Sequence, residues 1–499
     1  MSVLDVLPTR TVRSALGSAQ LAARSALGYA ANVFDPTLRI GVTGLSRAGK
    51  TVFITALVHN LVKGGRLTGL RAFSEGRIRE VILAPQPDDA VPRFAYEDHL
   101  DALSGDDRTW PESTRRISQL RLILDFEVPG TFGASRRSLN LDIVDYPGEW
   151  LLDLPLLSLS YAEWSRKALA LSDGPTRAPL ARDWRAHEAT LDPAAPASED
   201  DARRAAELFT AYLRACRDEK VSLSMLPPGR FLMPGDLEGS PALTFAPLDV
   251  DSDSAPSGSL HAMMARRYEA YKAVVVRPFY ATHFARLDRQ IVLVDVLQAL
   301  NAGPRALADL EGALGDILAA FRPGANSILS RLFAPRIDRV VLAATKADHL
   351  HHRDHDRLEA MLAWLARDAI GRAEARGADV ETVALASVRA TREGTINRHG
   401  EDIPVIIGTP RAGERVGARA FDGTSETAVF PGTLPSDPAA VLEAGYRFTG
   451  DETADTGEPG ATGDFRFVRF RPPDRERGAA LPHIRLDRAL ELLVGDRLR

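Results

Sequence analysis

Apolar residues fall into two kinds of pattern along the chain. Short continuous runs suit strands buried on both faces, and apolar residues every three or four positions suit helices. Leu38 to Thr43 is a run of the first kind, followed by a glycine-rich turn. Thr51 to Val62 is of the second kind, with Val52, Ala56, Leu57 and Leu61 on one face. Gly64 to Ser118 is polar and broken by prolines, apart from a short strand over Arg79 to Leu83. Gln119 to Val128 and Ser138 to Val144 predict two strands joined through the turn Pro129 to Arg137, as a hairpin. Leu151 to His283 has helical spacing, is rich in Ala, Leu and Arg, and is interrupted near Pro193 to Ser198 and Pro227 to Ser259. It reads as a mostly helical insertion.

The pattern then alternates. Arg289 to Val296, Arg339 to Ala344 and Val380 to Ala386 predict strands, while Arg305 to Leu332 and Arg353 to Arg376 predict helices. Alternation of this kind implies an α/β fold: a mostly parallel sheet flanked by helices, interrupted by the helical insertion. Beyond Ser387, Ile403 to Gly408, Glu414 to Phe421 and Phe465 to Phe470 predict short β segments. Asp451 to Asp464 is rich in Gly, Thr and acids and predicts a loose loop, and Leu486 to Leu498 predicts a closing helix. The expected organisation is an N-terminal helix (1–35), the first part of the sheet domain (36–150), the helical insertion (151–285), the second part of the domain (286–390), a smaller β-rich insertion (391–475) and a C-terminal helix (476–499). No internal repeat is present.

Composition narrows the function classes. A chain of 499 residues, 45% hydrophobic and 26% charged, can bury a core and is not disordered. Net charge of -5 and a pI near 6.2 argue against a nucleic-acid partner. A single cysteine, Cys216, excludes an intrachain disulfide and a cysteine-based metal site, and is expected to be inert. No apolar stretch reaches the roughly 18–20 residues of a membrane helix. Thr11 to Phe34 carries Val12, Leu16, Ala19, Ala23, Leu27 and Ala30 at helical spacing, beside Arg13 and Arg24. It predicts a surface helix; an organellar transit segment and reversible docking on a membrane or partner are the alternatives. Of 62 basic residues only six are lysines: Lys50, Lys63, Lys167, Lys220, Lys272 and Lys346.

Two of those lysines sit in motifs. Gly44-Leu45-Ser46-Arg47-Ala48-Gly49-Lys50-Thr51 matches G-x-x-x-x-G-K-[ST] between a predicted strand and a predicted helix. Backbone N–H groups of such a turn curl around phosphates, and the helix N-terminus adds positive potential. Lys50 is expected on the β- and γ-phosphates, Thr51 on Mg²⁺, and Val52 in the first turn below them. Asp145-Tyr-Pro-Gly148 ends the hairpin with D-x-x-G, placing a carboxylate for Mg²⁺ and an N–H for the γ-phosphate. Alone it is also a good turn. Thr345-Lys346-Ala-Asp348 ends another strand and matches [NT]-K-x-D. A carboxylate accepting two N–H donors selects guanine over adenine, and Lys346 lays its stem over the base. Ser387 and Val388, after the next strand, offer a backbone N–H for the guanine oxygen. Where arginine is the default cation, a lysine inside a motif is less readily chance. The other four lysines receive no role.

These spacings resemble the P-loop GTPase superfamily. More closely, Arg39-Ile-Gly-Val-Thr-Gly-Leu-Ser-Arg-Ala-Gly-Lys-Thr51, Asp145-Tyr-Pro-Gly-Glu-Trp150 and Leu481-Pro-His-Ile-Arg-Leu-Asp-Arg488 resemble the YcjX-like family of bacterial P-loop NTPases, over about Pro36 to Leu498. The resemblance implies stress-associated, GTP- and GDP-binding proteins with Mg²⁺, in the bacterial cytoplasm and in places peripheral to the inner membrane. It names no effector; a protein partner, membrane-associated or not, stays open. It also calls for a switch threonine before the hairpin, for which Thr114 is the first choice and Thr109 the second.

The pattern departs from the superfamily at two positions. Glu149 stands where many relatives place a water-orienting glutamine, and a carboxylate beside a γ-phosphate adds like-charge repulsion. Slow Mg²⁺-dependent GTP hydrolysis in a nucleotide-dependent switch is therefore the expectation, with a non-hydrolysing guanine-nucleotide scaffold or an ATPase as alternatives. Arg47 is either a counter-charge in the P-loop or a solvent-facing residue, and it replaces an Asn that helps some relatives bind potassium. His351 and His355 have metal-compatible spacing, against a solvated helix cap. Leu151, Leu152, Leu154, Leu156 and Leu157 read as core, with a nucleotide-sensitive partner surface as the alternative.

Overall fold

The computed structural model describes residues 36–45, 47–105, 108–112, 116–131, 133–218, 220–321, 337–398, 400–416, 419–442, 467–476 and 478–499. The expected N-terminal helix, the expected loop over Asp451 to Asp464, and the candidates Ser46 and Thr114 lie outside the described residues.

In chain order the first elements are β1 (Thr37–Gly44), α1 (Lys50–Lys63), β2 (Ile78–Ala84), α2 (Tyr96–Ser104), β3 (Ser118–Val128) and β4 (Ser135–Asp145). A 3-10 stretch over Gly148–Ser158 leads into the helices α3 (Tyr161–Ser172), α4 (Ala178–Glu188), α5 (Glu199–Arg217) and α6 (Leu260–Tyr271). The sheet resumes with β5 (Arg289–Val294), α7 (Val296–Ala302), α8 (Pro304–Phe321), β6 (Arg339–Ala344), α9 (His355–Glu374) and β7 (Asp379–Ala384). Short strands β8 (Arg392–Arg398), β9 (Glu401–Gly408), β10 (Arg415–Val416), β11 (Arg419–Ala420) and β12 (Thr427–Val429) precede the last helix, α10 (Leu486–Val494).

The main sheet has seven strands in the order β2-β3-β4-β1-β5-β6-β7. β4, β1, β5, β6 and β7 are mutually parallel, and β3 alone opposes its neighbours. This is the expected mostly parallel sheet. The apolar runs that predicted it are explained by burial on both faces. Ile291, Leu293, Val341 and Ala343 point into one core with Phe53, Leu57 and Leu490, under α1 and α10. Val292, Val294, Val340 and Leu342 point into the other, with residues of α8, α9 and the helical segment. Adjacent residues of one strand thus feed opposite cores, as a period of two demands. A β-rich region follows, with sheets β12-β9-β8 and β10-β11.

The helical segment between β4 and β5 is organised by aromatics. Trp164 stacks on Tyr268 at 5.1 Å and Trp184 on Tyr212 at 5.1 Å, and Phe209, Phe231 and Phe245 bridge them edge-on. Serines start its helices: Ser160 closes a capping box with Glu163, and Ser198 and Ser259 cap α5 and α6. Leu151, Leu152, Leu154, Leu156 and Leu157 are all buried in this core, so the core reading holds and they offer no exposed surface.

Several expectations are corrected. β5 ends at Val294 rather than Val296, because Asp295 accepts a hydrogen bond from the Gln298 N–H at 3.1 Å and starts α7. The segment Gly64 to Ser118 contains α2, whose buried residues are only Tyr96 and Leu103, too few for a periodic signal. Glu414 to Phe421 carries two short antiparallel strands, Arg415–Val416 and Arg419–Ala420. β8 was not expected, because its sequence Arg-Glu-Gly-Thr-Ile-Asn-Arg shows no apolar alternation.

Asp153 fastens the 3-10 stretch after β4 to the rest of the helical segment. Its carboxylate accepts the Gly229 N–H at 2.6 Å, the Arg230 N–H at 3.3 Å and the Tyr271 hydroxyl at 2.6 Å. Burial pushes this carboxyl up to about 6. Asp153→Ala should strand these buried donors and lower unfolding free energy in urea by about 3 kcal/mol. Tyr271→Phe, which removes only one donor, should cost about 1 kcal/mol. Equal losses in the two variants would contradict a carboxylate-centred clamp.

Candidate nucleotide site

Parallel strands bring their carboxyl ends to one edge, and the loops that follow meet there. At that edge lies a cavity of about 460 Å³. Its walls include Gly44, Leu45, Arg47, Ala48, Gly49, Lys50, Thr51 and Val52 from the first motif, Gly148 and Glu149 from the second, Thr345, Lys346 and Asp348 from the third, and Ser387 and Val388. Residues three hundred positions apart in the motifs are therefore brought together.

The β1–α1 turn is built to leave donors open. α1 begins after Gly49 at φ 82°, without a side-chain cap and without an acid in its first turn. Its first N–H groups thus have no intrahelical acceptor. Arg47 sits at φ 60°, a left-handed conformation uncommon for a residue with Cβ, and is exposed at the cavity wall. Burial lowers its pKa first, and the nearby Arg217 guanidinium lowers it further. The Thr51 hydroxyl donates to the Glu112 carbonyl at 3.3 Å.

Asp145 is buried at the end of β4 and forms an ion pair with Lys50. Ser118 Oγ donates to its other oxygen at 3.4 Å. Gly148 packs so tightly under the P-loop that a Cβ there would strike the Gly44 carbonyl. Glu149 is buried and paired with Arg217, Nη2 to Oε1, at 2.5 Å.

At the third motif, the Thr345 N–H donates to Val294 at 2.9 Å and Lys346 turns back at φ 61° to pair with Asp295. Asp348 accepts the Ala390 N–H at 2.9 Å, and the Thr391 hydroxyl donates to the Asp348 carbonyl. Burial raises the Asp348 carboxyl to about 6. After β7, the N–H groups of Ala386 and Arg389 donate to Ile484 and Pro482, so the loop with Ser387 and Val388 is braced from the C-terminal segment.

Part of the wall was not foreseen. The Trp110 indole N–H donates to the Phe470 carbonyl at 2.7 Å, and Phe470 packs edge-on against His349 at 5.6 Å. Arg411 and Arg469 also line the cavity, as does Arg217 from the end of α5. Burial takes His349 down to about 3, so it is neutral. No local motif marks these residues. Thr109, the second switch candidate, donates its backbone N–H to Ala102 beside this wall.

The histidine expectation needs correction. Among the described residues the ligating atoms that converge within 4.8 Å are those of His351, His352 and Glu393, not of His351 and His355, and the solvated cap fails as well, because His351 and His355 are buried. Helical spacing fails because α9 starts only at His355. Cys216 is buried, and burial pushes its thiol up to about 11, as an inert cysteine requires. Among the described residues no helix is long and apolar enough to cross a membrane.

Comparison with known proteins agrees with this architecture. Residues 38–498 match the YcjX-like family, DUF463. The protein described as Ras-like GTPase YcjX from Escherichia coli K12 is 41% identical over 478 residues, covering 93% of this chain and 97% of the relative. The protein of the same description from Shewanella oneidensis is 36% identical over 496 residues, covering 93% and 95%. On that coverage, and with the parallel sheet and P-loop already in place, the chain belongs to the YcjX-like family of GTPase-like P-loop proteins.

Proposed function

We propose that the chain binds GTP and GDP, hydrolyses GTP slowly with Mg²⁺, and acts as a nucleotide-dependent switch. The observation that carries this reading is the cavity shared by Gly44–Thr51 and Thr345–Asp348, where the glycine-rich turn and the Asp348 carboxylate line one space. The relatives' description as Ras-like GTPases supports it.

In this reading the backbone of Gly44 to Gly49 holds the phosphates, with Leu45, Ser46, Arg47 and Ala48 in the turn. Lys50 leaves Asp145 for the β- and γ-phosphates, which satisfies its charge better than one carboxylate does. The Thr51 hydroxyl and the released Asp145 carboxylate are hard oxygen donors, the kind Mg²⁺ takes alongside phosphates and waters, and Thr114 is the candidate third. The ion supplies charge neutralisation at the phosphates when bound. Gly148 gives its N–H to the γ-phosphate. Asp348 accepts the guanine N–H pair, Thr345 and Lys346 hold the base, and Ser387 or Val388 meets its oxygen. The six-part division of the chain is carried over, with the helical and β-rich insertions reporting nucleotide state to a protein partner. A cytoplasmic, in part membrane-peripheral, setting and a role in bacterial stress belong to the same proposal.

The scaffold alternative has one observation in its favour. Glu149 is a carboxylate at the water-orienting position, and it is already committed to Arg217. Phosphate release at background with tight GDP binding would select it.

Four outcomes test the reading. Fluorescent GDP should bind orders of magnitude more tightly than fluorescent ADP, and equal affinities would sink the guanine assignment. Lys50→Ala should abolish binding of both, and Asp348→Asn should weaken GDP while leaving the fold's melting curve unchanged. Because only the ionised Asp348 accepts the guanine N–H pair and its pKa is raised to about 6, affinity is full above that pH and is lost as pH falls through it. The Kd for GDP should rise about tenfold between pH 7 and pH 5. A flat profile, or the same slope in Asp348→Asn, would exclude Asp348 as the reader.

A further inference from the structure

The helical segment sends one cation into the phosphate end of the cavity. Arg217 is the last residue of α5, and its guanidinium reaches Glu149, the residue after D-x-x-G, at 2.5 Å. A second nitrogen lies 3.6 Å from the Met233 sulfur. Arg217 lines the same wall as Gly44, Arg47, Lys50 and Gly148. Two cations facing one small space repel each other: burial lowers the Arg47 pKa most, and the Arg217 charge lowers it further. An anion between them removes the cost.

The approach of Arg217 is held on several sides. Gly229 lies so close to Glu149 that a Cβ on it would overlap the Glu149 carbonyl. Asp153 grips the Gly229 and Arg230 N–H groups. The Arg230 guanidinium covers the Trp150 ring at 3.2 Å, and the Trp150 indole N–H donates to the Met233 carbonyl at 3.2 Å. The turn after D-x-x-G and the end of α5 therefore form one packed unit. An arginine mounted on such a unit needs little reordering to act.

We infer that Arg217 is the charge-neutralising arginine of GTP hydrolysis in this chain, supplied by its own helical segment and held ready by Glu149. The inference rests on the proposed GTPase reading. In hydrolysis the water oxygen forms a bond to the γ-phosphorus. The bond from that phosphorus to the β–γ bridging oxygen breaks, and its electron pair stays on the bridging oxygen, giving GDP and orthophosphate. The water's proton ends on the orthophosphate or in solvent. Negative charge grows on the bridging and γ oxygens during this step, and the N–H fork of Arg217 is placed to meet it. The Glu149 carboxylate brings its own counter-ion, and the pair keeps turnover low until Arg217 transfers.

The full-length chain tests this with three readouts: GDP affinity, formation of a GDP–aluminium fluoride complex without any partner protein, and single-turnover phosphate release from GTP. Arg217→Ala should lower phosphate release by on the order of 10³-fold and abolish the aluminium fluoride complex, with GDP affinity within about threefold of wild type. Arg217→Lys should recover only a small part, since an ammonium lacks the planar fork. Retained GDP affinity shows that each variant is folded. Arg217→Gln serves as a second uncharged variant where the alanine form is unstable. Phosphate release by Arg217→Ala near the wild-type rate, or a wild-type chain that binds GDP but forms no aluminium fluoride complex, overturns the role of Arg217 and leaves guanine binding standing. Failure of the wild-type chain to bind GDP overturns both.

Discussion

Parallel pairing is the constraint on which the site depends. Hydrogen bonding of β4, β1, β5, β6 and β7 in one direction forces their carboxyl ends onto one edge. Loops that leave that edge must share space, whatever their distance in sequence. The register does the fine placement: Val42 stands opposite Asp145 on one side and Ile291 on the other, so the P-loop starts level with the end of β4. The antiparallel β3, between β2 and β4, does not disturb this: it starts level with Asp145 and carries the chain to the far end, so that β4 can run with β1.

Charge at the edge is handled in pairs. Lys50 is matched by Asp145, Lys346 by Asp295 and Arg217 by Glu149, each carboxylate standing at or just beyond a strand end. In such a pair each partner offsets part of the expense of taking the other ion out of water. They also make the site exchangeable. A phosphate oxygen can take the place of a carboxylate at Lys50 or Arg217 and keep the cation paired, whereas a neutral ligand cannot. The preference for lysine at Lys50 follows from the same geometry: the compact ammonium fits between Asp145 and the turn, where a planar guanidinium would need more room.

Sequence reading recovered what is local. A motif such as Gly44 to Thr51 or Thr345 to Asp348 is one strand end and one loop, so its spacing is set by the backbone of a few residues. The parallel sheet was legible for the same reason, since two-sided burial writes an unbroken apolar run into each strand. Trp110, Arg217, Arg411, Arg469 and Phe470 were not legible, because nothing near them in the chain marks them. Trp110 meets Phe470 across 360 positions, and Arg217 meets Glu149 across 68. Glu393 was missed as a neighbour of His352 because β8 carries no apolar alternation, so the strand that positions it had no signal.

The helical segment and the β-rich region both contribute walls to the cavity. Arg217 sits on the phosphate side, fixed to the turn after D-x-x-G through Gly229 and Asp153. Phe470, Arg411 and Arg469 belong to the β-rich region, and Trp110, just before β3, is tied to it through Phe470. A ligand that fills the cavity must contact both, while the sheet between them is packed on two faces and has little freedom to adjust. Displacement of Arg217 from Glu149 would therefore be relayed into α5, whose buried face of Phe209, Tyr212 and Leu213 lies in the aromatic core. A sheet packed on both faces confines any conformational response to the segments attached to it.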